Sequence, residues 1–172
     1  MNTGQLLCAI QCDRVLQHKV CGVYASDLLP KERPVQGDWG CVANTDPHLL
    51  PGKHWVGFYF ERKTDKGYFF DSYGHSPLHY NAEFVTFLNE HCKEWTYNET
   101  CLQSKRSRAC GFYVLFYLLY RCRGVDRNNA IIHMFSNDPV ANDIFVSNFM
   151  CHYFQKCYSI CTLCDQSNKS LV

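Results

Sequence analysis

The sequence predicts an α+β fold in which a mixed or antiparallel β-sheet packs on one central helix. Residues 54–60 and 68–74 are aromatic and β-branched runs separated by the turn-like ThrAspLysGly at 64–67, which is the pattern of a β-hairpin. Residues 110–122 are almost continuously apolar and too long for a typical strand. They therefore predict a buried helix that begins at Cys110.

The other elements follow from apolar periodicity and turn residues. Predicted helices cover residues 4–18, 82–92 and 141–156, and predicted strands cover 39–44 and 95–102. Prolines, glycines and charges predict loops at 21–37 and 104–109.

Length and composition favour one domain over residues 1–172, with roughly the last eight residues frayed. The apolar share of 47% can bury a core without disulfides. The spacing of the 12 cysteines is irregular, so we expect most to be reduced and buried, in a reducing compartment. A net charge of +1 argues against a dedicated nucleic-acid binder but leaves room for a local basic patch. We expect neither a secretory signal nor a membrane span.

Three residues form a candidate catalytic set. Cys110 opens the predicted central helix, where free backbone amides and the helix dipole stabilise a thiolate. His54 is a candidate base for this thiol. The predicted hairpin brings Asp71 to the His54 end, where a carboxylate would orient the imidazole.

Gln103 adds a candidate oxyanion donor seven residues before Cys110, together with the Cys110 amide. Each residue also has an ordinary explanation, since the chain contains eight histidines and twelve cysteines. Asp71 also fits a turn at the end of a strand. Spacing alone therefore leaves the catalytic interpretation and the purely structural one both open.

The order of four short blocks resembles the adenovirus-type maturation proteases, especially those of Maverick/Polinton elements and adintoviruses. The blocks are HisTrp at 54–55, PhePheAspSerTyrGly at 69–74, LeuGln at 102–103 and AlaCysGly at 109–111. Weaker similarities lie at 21–24, 44–46, 121–124 and 142–146. The resemblance implies a papain-like core in permuted order, with a cleft between the sheet and the central helix.

The resemblance also implies an activity. It indicates a cysteine endopeptidase that cleaves viral precursor proteins of the capsid or core after glycine, in the virion and in the nucleus or cytoplasm of the host cell. His54, Asp71 and Cys110 would be the triad, and Gln103 would complete the oxyanion hole. Adenovirus enzymes carry Glu at the Asp71 position, and either carboxylate can orient a histidine.

Further roles follow from the same resemblance. Trp55 and Gly111 are candidate substrate-binding residues, Gly111 because it lets a substrate backbone approach closely. Cys92 or Cys101 would bond to an activating peptide. A basic set is a candidate contact for activating DNA: Lys105, Arg106, Arg108, Arg121, Arg123 and Arg127. The chemistry needs no metal or other cofactor, and we expect a monomer without a membrane partner.

Rival interpretations stay open at this point. A protease of the same clan could instead remove ubiquitin-like modifiers, and an inactive relative could serve as a capsid or scaffold component. Some members of the clan are acetyltransferases, but they use additional domain features that we do not find in this sequence. The C-terminal cluster Cys151, His152, Cys157, Cys161 and Cys164 contains one C-x-x-C unit but no second pair, so zinc is a weak alternative.

Overall fold

The computed structural model describes residues 1–32, 34, 36–125 and 128–155. The helices are α1 (Thr3–Cys12), α2 (Leu16–Lys19), α3 (Ala82–His91), α4 (Cys110–Cys122), α5 (Asn128–Ile132) and α6 (Pro139–Tyr153). The strands are β1 (Val20–Tyr24), β2 (Trp39–Asn44), β3 (Trp55–Glu61), β4 (Lys66–Phe70) and β5 (Glu94–Tyr97). Two short 3-10 turns lie at Ser26–Leu28 and Pro77–His79.

The strands form one mixed sheet whose order follows the chain, β1-β2-β3-β4-β5. The central pairs β2–β3 and β3–β4 are antiparallel, whereas each edge strand pairs in parallel with its neighbour. The hairpin of β3 and β4 turns at Asp65, a non-glycine residue with a positive φ of 53°. The antiparallel register brings the start of β3 and the end of β4 to the same edge of the sheet.

Helices cover both faces of this sheet, which explains why β2 is buried along its whole length and β3 along nearly all of it. One face packs on α3 through an aromatic cluster that includes Phe58, Phe69 and Phe84. The other face packs on α4, which is buried on almost all sides because α1 and α6 cover it in turn. The central helix therefore lies between the sheet on one side and α1 and α6 on the other.

Two glycines let α4 lie close to the sheet. A Cβ atom at Gly57 would stand 3.2 Å from Val114 Cγ1, and one at Gly40 would stand 3.0 Å from Leu118 Cδ2 and 2.6 Å from the Phe58 carbonyl. A side chain at either position would therefore crowd the facing side chains of α4, and at Gly40 also the backbone of β3. At the far end of α4, Arg121 is fully buried and pairs with Glu61 at 2.5 Å.

The predicted α+β class is confirmed, and several predicted elements lie close to the observed ones. The helix predicted over 4–18 is in fact two helices, because Asp13 turns the chain and its Oδ1 accepts the amides of Val15 and Leu16. The loop predicted over 21–37 is wrong at its start, where residues 21–24 belong to β1. Helix α5 was not predicted, and the predicted frayed tail lies outside the described residues.

The cysteines agree only partly with the expectation of reduced and buried thiols. Seven described cysteines are free, and four of these are buried: Cys41, Cys92, Cys110 and Cys122. Cys12 and Cys151 are disulfide-bonded.

Across the described residues no cluster of His, Cys, Asp or Glu is arranged to hold a metal ion, and most of the C-terminal cysteine cluster lies outside them. No described helix has the length and apolar character needed to cross a bilayer.

Candidate active site

His54 and Asp71 meet at one end of the inner strands β3 and β4, as the hairpin pattern predicts. His54 directly precedes β3 and Asp71 directly follows β4. His54 Nε2 lies 2.6 Å from Asp71 Oδ1. Both side chains are buried, with Asp71 fully shielded from solvent and His54 7% exposed. This contact fixes the imidazole so that its other nitrogen is free to serve the cysteine.

The remaining acceptor positions of Asp71 are filled as well. Its Oδ1 also accepts the Tyr73 amide at 3.1 Å, and its Oδ2 accepts the His75 amide and the Tyr80 hydroxyl, each at 2.9 Å. Burial alone would raise the pKa of the Asp71 carboxyl, but the hydrogen bond and charge of His54 and these backbone amides lower it. Asp71 is therefore a carboxylate at neutral pH despite its burial.

Asn98 anchors the Asp71 backbone from the chain beyond β5. Its Oδ1 accepts the Asp71 amide at 2.9 Å, and its Nδ2 donates to the Asp71 carbonyl at 2.6 Å and to the Thr100 carbonyl at 3.2 Å. Asn98 is buried and was not predicted from the sequence. Its position depends on the parallel pairing of β5 with β4, for which no local motif gives a signal.

Cys110 begins α4 opposite the imidazole. Burial would raise the pKa of its thiol, but the hydrogen bond and charge of His54 and a backbone hydrogen bond from Trp55 bring that pKa below its ordinary value. Burial would likewise lower the pKa of His54, but its hydrogen bonds to Asp71 and Cys110 raise it to about 9. Both shifts favour the charged pair, a Cys110 thiolate beside a His54 imidazolium.

Two tyrosines pack on the imidazole. The Tyr73 ring lies 4.8 Å from the His54 ring centroid and the Tyr80 ring 5.7 Å from it, each tilted by 29°. Aromatic faces stabilise a nearby cation, so both rings favour the charged form of His54. Tyr73 belongs to the quoted AspSerTyrGly block, whereas nothing in the local sequence singles out Tyr80.

Gln103 is held with its amide in a defined orientation. Ser72 Oγ donates to Gln103 Oε1 at 2.7 Å, and Gln103 Nε2 donates to the Ser107 carbonyl at 2.9 Å. Because the amide nitrogen carries two hydrogens, one remains for a substrate oxygen. The first backbone amides of α4, including that of Cys110, have no partner within the helix. These two donors form a candidate oxyanion hole.

A cleft of about 920 Å³ exposes the site. His54, Trp55, Gln103 and Cys110 line it, together with the segment 44–53, the chain around Val23–Ala25 and the first three residues. Trp55 is 8% exposed, and its indole donates to the Met1 carbonyl at 2.9 Å. A Cβ at Gly111 would stand 3.1 Å from Met1 Cβ, so Gly111 faces Met1, which does not support its predicted role toward substrate.

The candidate activator residues separate by exposure. Cys92 is buried, and its thiol donates to the Leu88 carbonyl, whereas Cys101 is exposed.

Among the candidate DNA contacts, Arg121 is buried against Glu61, so its inclusion is wrong. Arg123 is exposed but pairs with Asp13 at 2.5 Å. Lys105, Arg106 and Arg108 are exposed on the loop before α4, and Arg127 lies outside the described residues.

The chain is similar in sequence to known viral proteases. The sequence profile of the adenovirus endoprotease family matches residues 35–139, which include His54, Asp71, Gln103 and Cys110. The protease of Avian adenovirus 8 is 26% identical over 134 residues, which cover 67% of this chain and 63% of that protein. The protease of Fowl adenovirus A serotype 1 is 24% identical over 154 residues, covering 77% and 74%.

A third relative comes from a different virus. A cysteine protease of African swine fever virus is 33% identical over 101 residues, which cover 54% of this chain and 37% of that protein. Its crystal structure superposes with a TM-score of 0.56 at 19% identity, covering 83% of this chain and 63% of that one.

This superposition supports the papain-like fold. The chain spans about 63% of the first adenovirus relative, so the match does not extend over that whole protein. On the strength of the profile match, which covers more than half of its residues, the chain belongs to the adenovirus endoprotease family.

Proposed function

We propose that this chain is a cysteine endopeptidase that cleaves viral precursor proteins after glycine during particle maturation, in the virion and the infected cell. The observation that carries the proposal is the 2.6 Å contact of the buried Asp71 carboxylate with His54, beside a Cys110 thiol whose pKa the imidazole lowers. A thiolate beside an imidazolium at a helix N-terminus is the arrangement that nucleophilic attack on a peptide carbonyl requires.

The first half of the reaction forms an acyl-enzyme. The Cys110 thiolate attacks the carbonyl carbon of the scissile bond, and the oxygen that becomes negative accepts hydrogen bonds from the Cys110 amide and Gln103 Nε2. As the C–N bond breaks, protonated His54 gives its proton to the departing amine. The thioester that remains links the N-terminal part of the substrate to Cys110.

The second half restores the enzyme. Neutral His54 takes a proton from a water molecule, whose oxygen attacks the thioester carbonyl. The C–S bond then breaks, which releases a carboxylic acid product and returns the thiolate beside the imidazolium. Asp71 stays ionised throughout and stabilises the charged ring, because its hydrogen bonds lower the pKa of its carboxyl group.

Two activators belong to the same proposal. An activating peptide that carries a cysteine would bond to Cys101, since Cys92 is buried and Cys101 is exposed. DNA would bind the exposed cations of the loop before α4, Lys105, Arg106 and Arg108, because clustered cations attract phosphates. Rates measured with and without each activator, and with Cys101→Ser, test both roles.

The experiment that tests the activity compares glycine-containing peptides with folded ubiquitin-like fusions, using Cys110→Ala as the inactive control. Cleavage of the peptides by the parent chain but not by Cys110→Ala supports the maturation protease. Cleavage of the folded fusions alone would move the assignment to a protease of ubiquitin-like modifiers. No cleavage of either, with a Cys110 thiol inert to an alkylating probe at neutral pH, would contradict an enzymatic role.

A further inference from the structure

The side chains that line the cleft carry more positive than negative charge. Among the described lining residues the only acidic side chain is Asp46, and it lies 3.7 Å from the Lys53 ammonium. Arg108 also lines the cleft and is exposed. Within the described part of the chain its guanidinium has no carboxylate partner. The cleft therefore presents the Arg108 guanidinium, without a carboxylate partner among the described residues, to whatever binds there.

Hydrogen bonds hold the backbone around Arg108 in place. The Ser107 amide donates to the Ser104 carbonyl at 3.1 Å, and Gln103 Nε2 donates to the Ser107 carbonyl at 2.9 Å. Beyond Arg108, the Ala109 amide donates to Ser107 Oγ at 3.1 Å. The loop that carries Arg108 is thus tied to the candidate oxyanion donor on one side and to the start of α4 on the other.

We infer that Arg108 is a specificity-determining residue that favours substrates with a carboxylate close to the scissile bond, on the side of the substrate that passes the 103–108 loop. This inference rests on the proposed peptidase function and names a feature of its substrate. Arg108 is two residues from the nucleophile in sequence, so the carboxylate belongs within a few residues of the bond that is cut. The guanidinium is a fork that pairs well with a carboxylate.

The test uses one cleavable parent peptide and a set of single replacements. Each of the three positions on either side of the scissile bond carries Glu, Gln or Lys in turn, and kcat/KM is measured without DNA. Glu should exceed Gln by about two- to fivefold at one or two adjacent positions only, the range for a solvent-exposed ion pair. Lys should fall below Gln there, and the contrast should shrink in high salt.

Charge reversal at Arg108 supplies the decisive comparison. Arg108→Glu should invert the order of Glu and Lys at those same positions and leave the other positions unchanged. Lys63→Glu makes the same charge change on the exposed turn between β3 and β4 and does not line the cleft, so its selectivity should match that of the parent chain. Thermal unfolding of both variants checks that the fold is intact.

Binding keeps the inference testable if turnover is absent. The Cys110→Ala chain should bind the preferred Glu peptide about two- to fivefold more tightly than its Gln counterpart, and Arg108→Glu in that background should reverse the difference. Loss of cleavage with this binding contrast intact would count against the proposed activity alone. The inference about Arg108 is overturned if no position discriminates Glu from Lys. It is also overturned if Lys63→Glu alters selectivity equally, or if Arg108→Glu changes only the response to added duplex DNA.

Discussion

Ser72 Oγ donates a hydrogen bond of 2.7 Å to Gln103 Oε1, and the Ser107 carbonyl accepts one of 2.9 Å from Gln103 Nε2, so the two contacts together hold the Gln103 amide in one orientation. Ser72 directly follows Asp71, and its carbonyl accepts the amides of Leu102 at 2.8 Å and Gln103 at 3.0 Å. One residue thus connects the histidine-orienting carboxylate to the candidate oxyanion donor. Both sides of the reaction centre depend on the same short stretch after β4.

Replacing Ser72 by Ala should reduce kcat more than it changes KM. Without the hydroxyl, only the hydrogen bond to the Ser107 carbonyl holds the Gln103 amide, so a donor that acts only in the transition state is less well oriented. Gln103→Ala should lower kcat by about 10²–10³-fold, and Ser72→Ala should lie between that variant and the parent chain. Steady-state kinetics on one peptide substrate make the comparison.

A matched control is Thr86→Ala, which removes an exposed hydroxyl bonded to the Ala82 carbonyl in α3, remote from the cleft. Its kinetics should equal those of the parent chain. An unchanged kcat in both Ser72→Ala and Gln103→Ala would remove Gln103 from the oxyanion hole.

The dependence of kcat/KM on pH should show a basic limb near pH 9. The pKa of His54 is raised to about 9, so the imidazolium that protonates the leaving amine is lost as the pH rises through that value. Asp71→Asn removes the charge that supports the imidazolium, so the basic limb should move to lower pH and the maximal rate should fall. A basic limb that stays in place would show that Asp71 does not set this pKa.

Asp71 should also contribute to stability in a defined pH range. Its pKa is lower in the folded chain than in the unfolded chain, where it is about 3.9. The stabilisation is therefore present above the unfolded value and is lost as the pH falls through the folded one. Urea unfolding across the acidic range should show a smaller loss of stability with falling pH in Asp71→Asn than in the parent chain.

Glu61→Ala should destabilise the fold strongly, because it leaves the buried Arg121 guanidinium without its carboxylate. Removing one partner of a buried ion pair typically costs about 3–5 kcal/mol. The Arg121 side chain has 0% exposure and lies between the rings of Tyr59 and Tyr68, 4.7 Å and 4.1 Å from their centroids. The free energy of unfolding in urea gives the measurement.

The comparison for this change is Glu94→Ala, which breaks an exposed ion pair with Lys66 at 3.9 Å. Pairs of that kind contribute about 0–1 kcal/mol. Equal losses of stability in the two variants would mean that Arg121 finds solvent or another partner when Glu61 is absent.

Asn98→Ala should reduce both stability and rate. Its three hydrogen bonds fix the Asp71 and Thr100 backbones, and a buried backbone group left without a partner costs about 1–3 kcal/mol. Asn89→Ala is the control, since it removes an exposed asparagine that accepts the Trp95 indole. A loss of stability in Asn98→Ala with an unchanged kcat would limit Asn98 to a structural role.

Local patterns predicted the parts of the fold that local chemistry determines. The aromatic hairpin and the apolar run from Cys110 define β3, β4 and α4 because their periods and lengths are readable along the chain. His54 and Asp71 meet because a hairpin fixes which residues stand at one edge. The break at Asp13 was missed because its side chain caps the next helix instead of continuing the first one.

Contacts between distant segments were harder to predict. Strand β1 looked like part of a loop because the predicted loop segment 21–37 contains Pro30, Pro34 and several charges, yet β1 pairs in parallel with β2. Tyr80 and Asn98 reach Asp71 from separate connections, and the burial of Arg121 depends on two strands and a helix that meet only in the folded chain. None of these contacts leaves a periodic signal in the sequence.

The absence of a side chain at Gly57, which faces Val114 of α4, helps to set the distance between the sheet and the central helix. His54 belongs to the strand layer and Cys110 to the helix layer, so the gap between the layers is also the gap between proton acceptor and nucleophile. A methyl group at Gly57 would lie 3.2 Å from Val114 Cγ1 and would crowd this contact, so it bears on the separation of His54 and Cys110 as well as on core packing. The spacing between the strand layer and the helix layer therefore affects both core packing and the distance between His54 and Cys110.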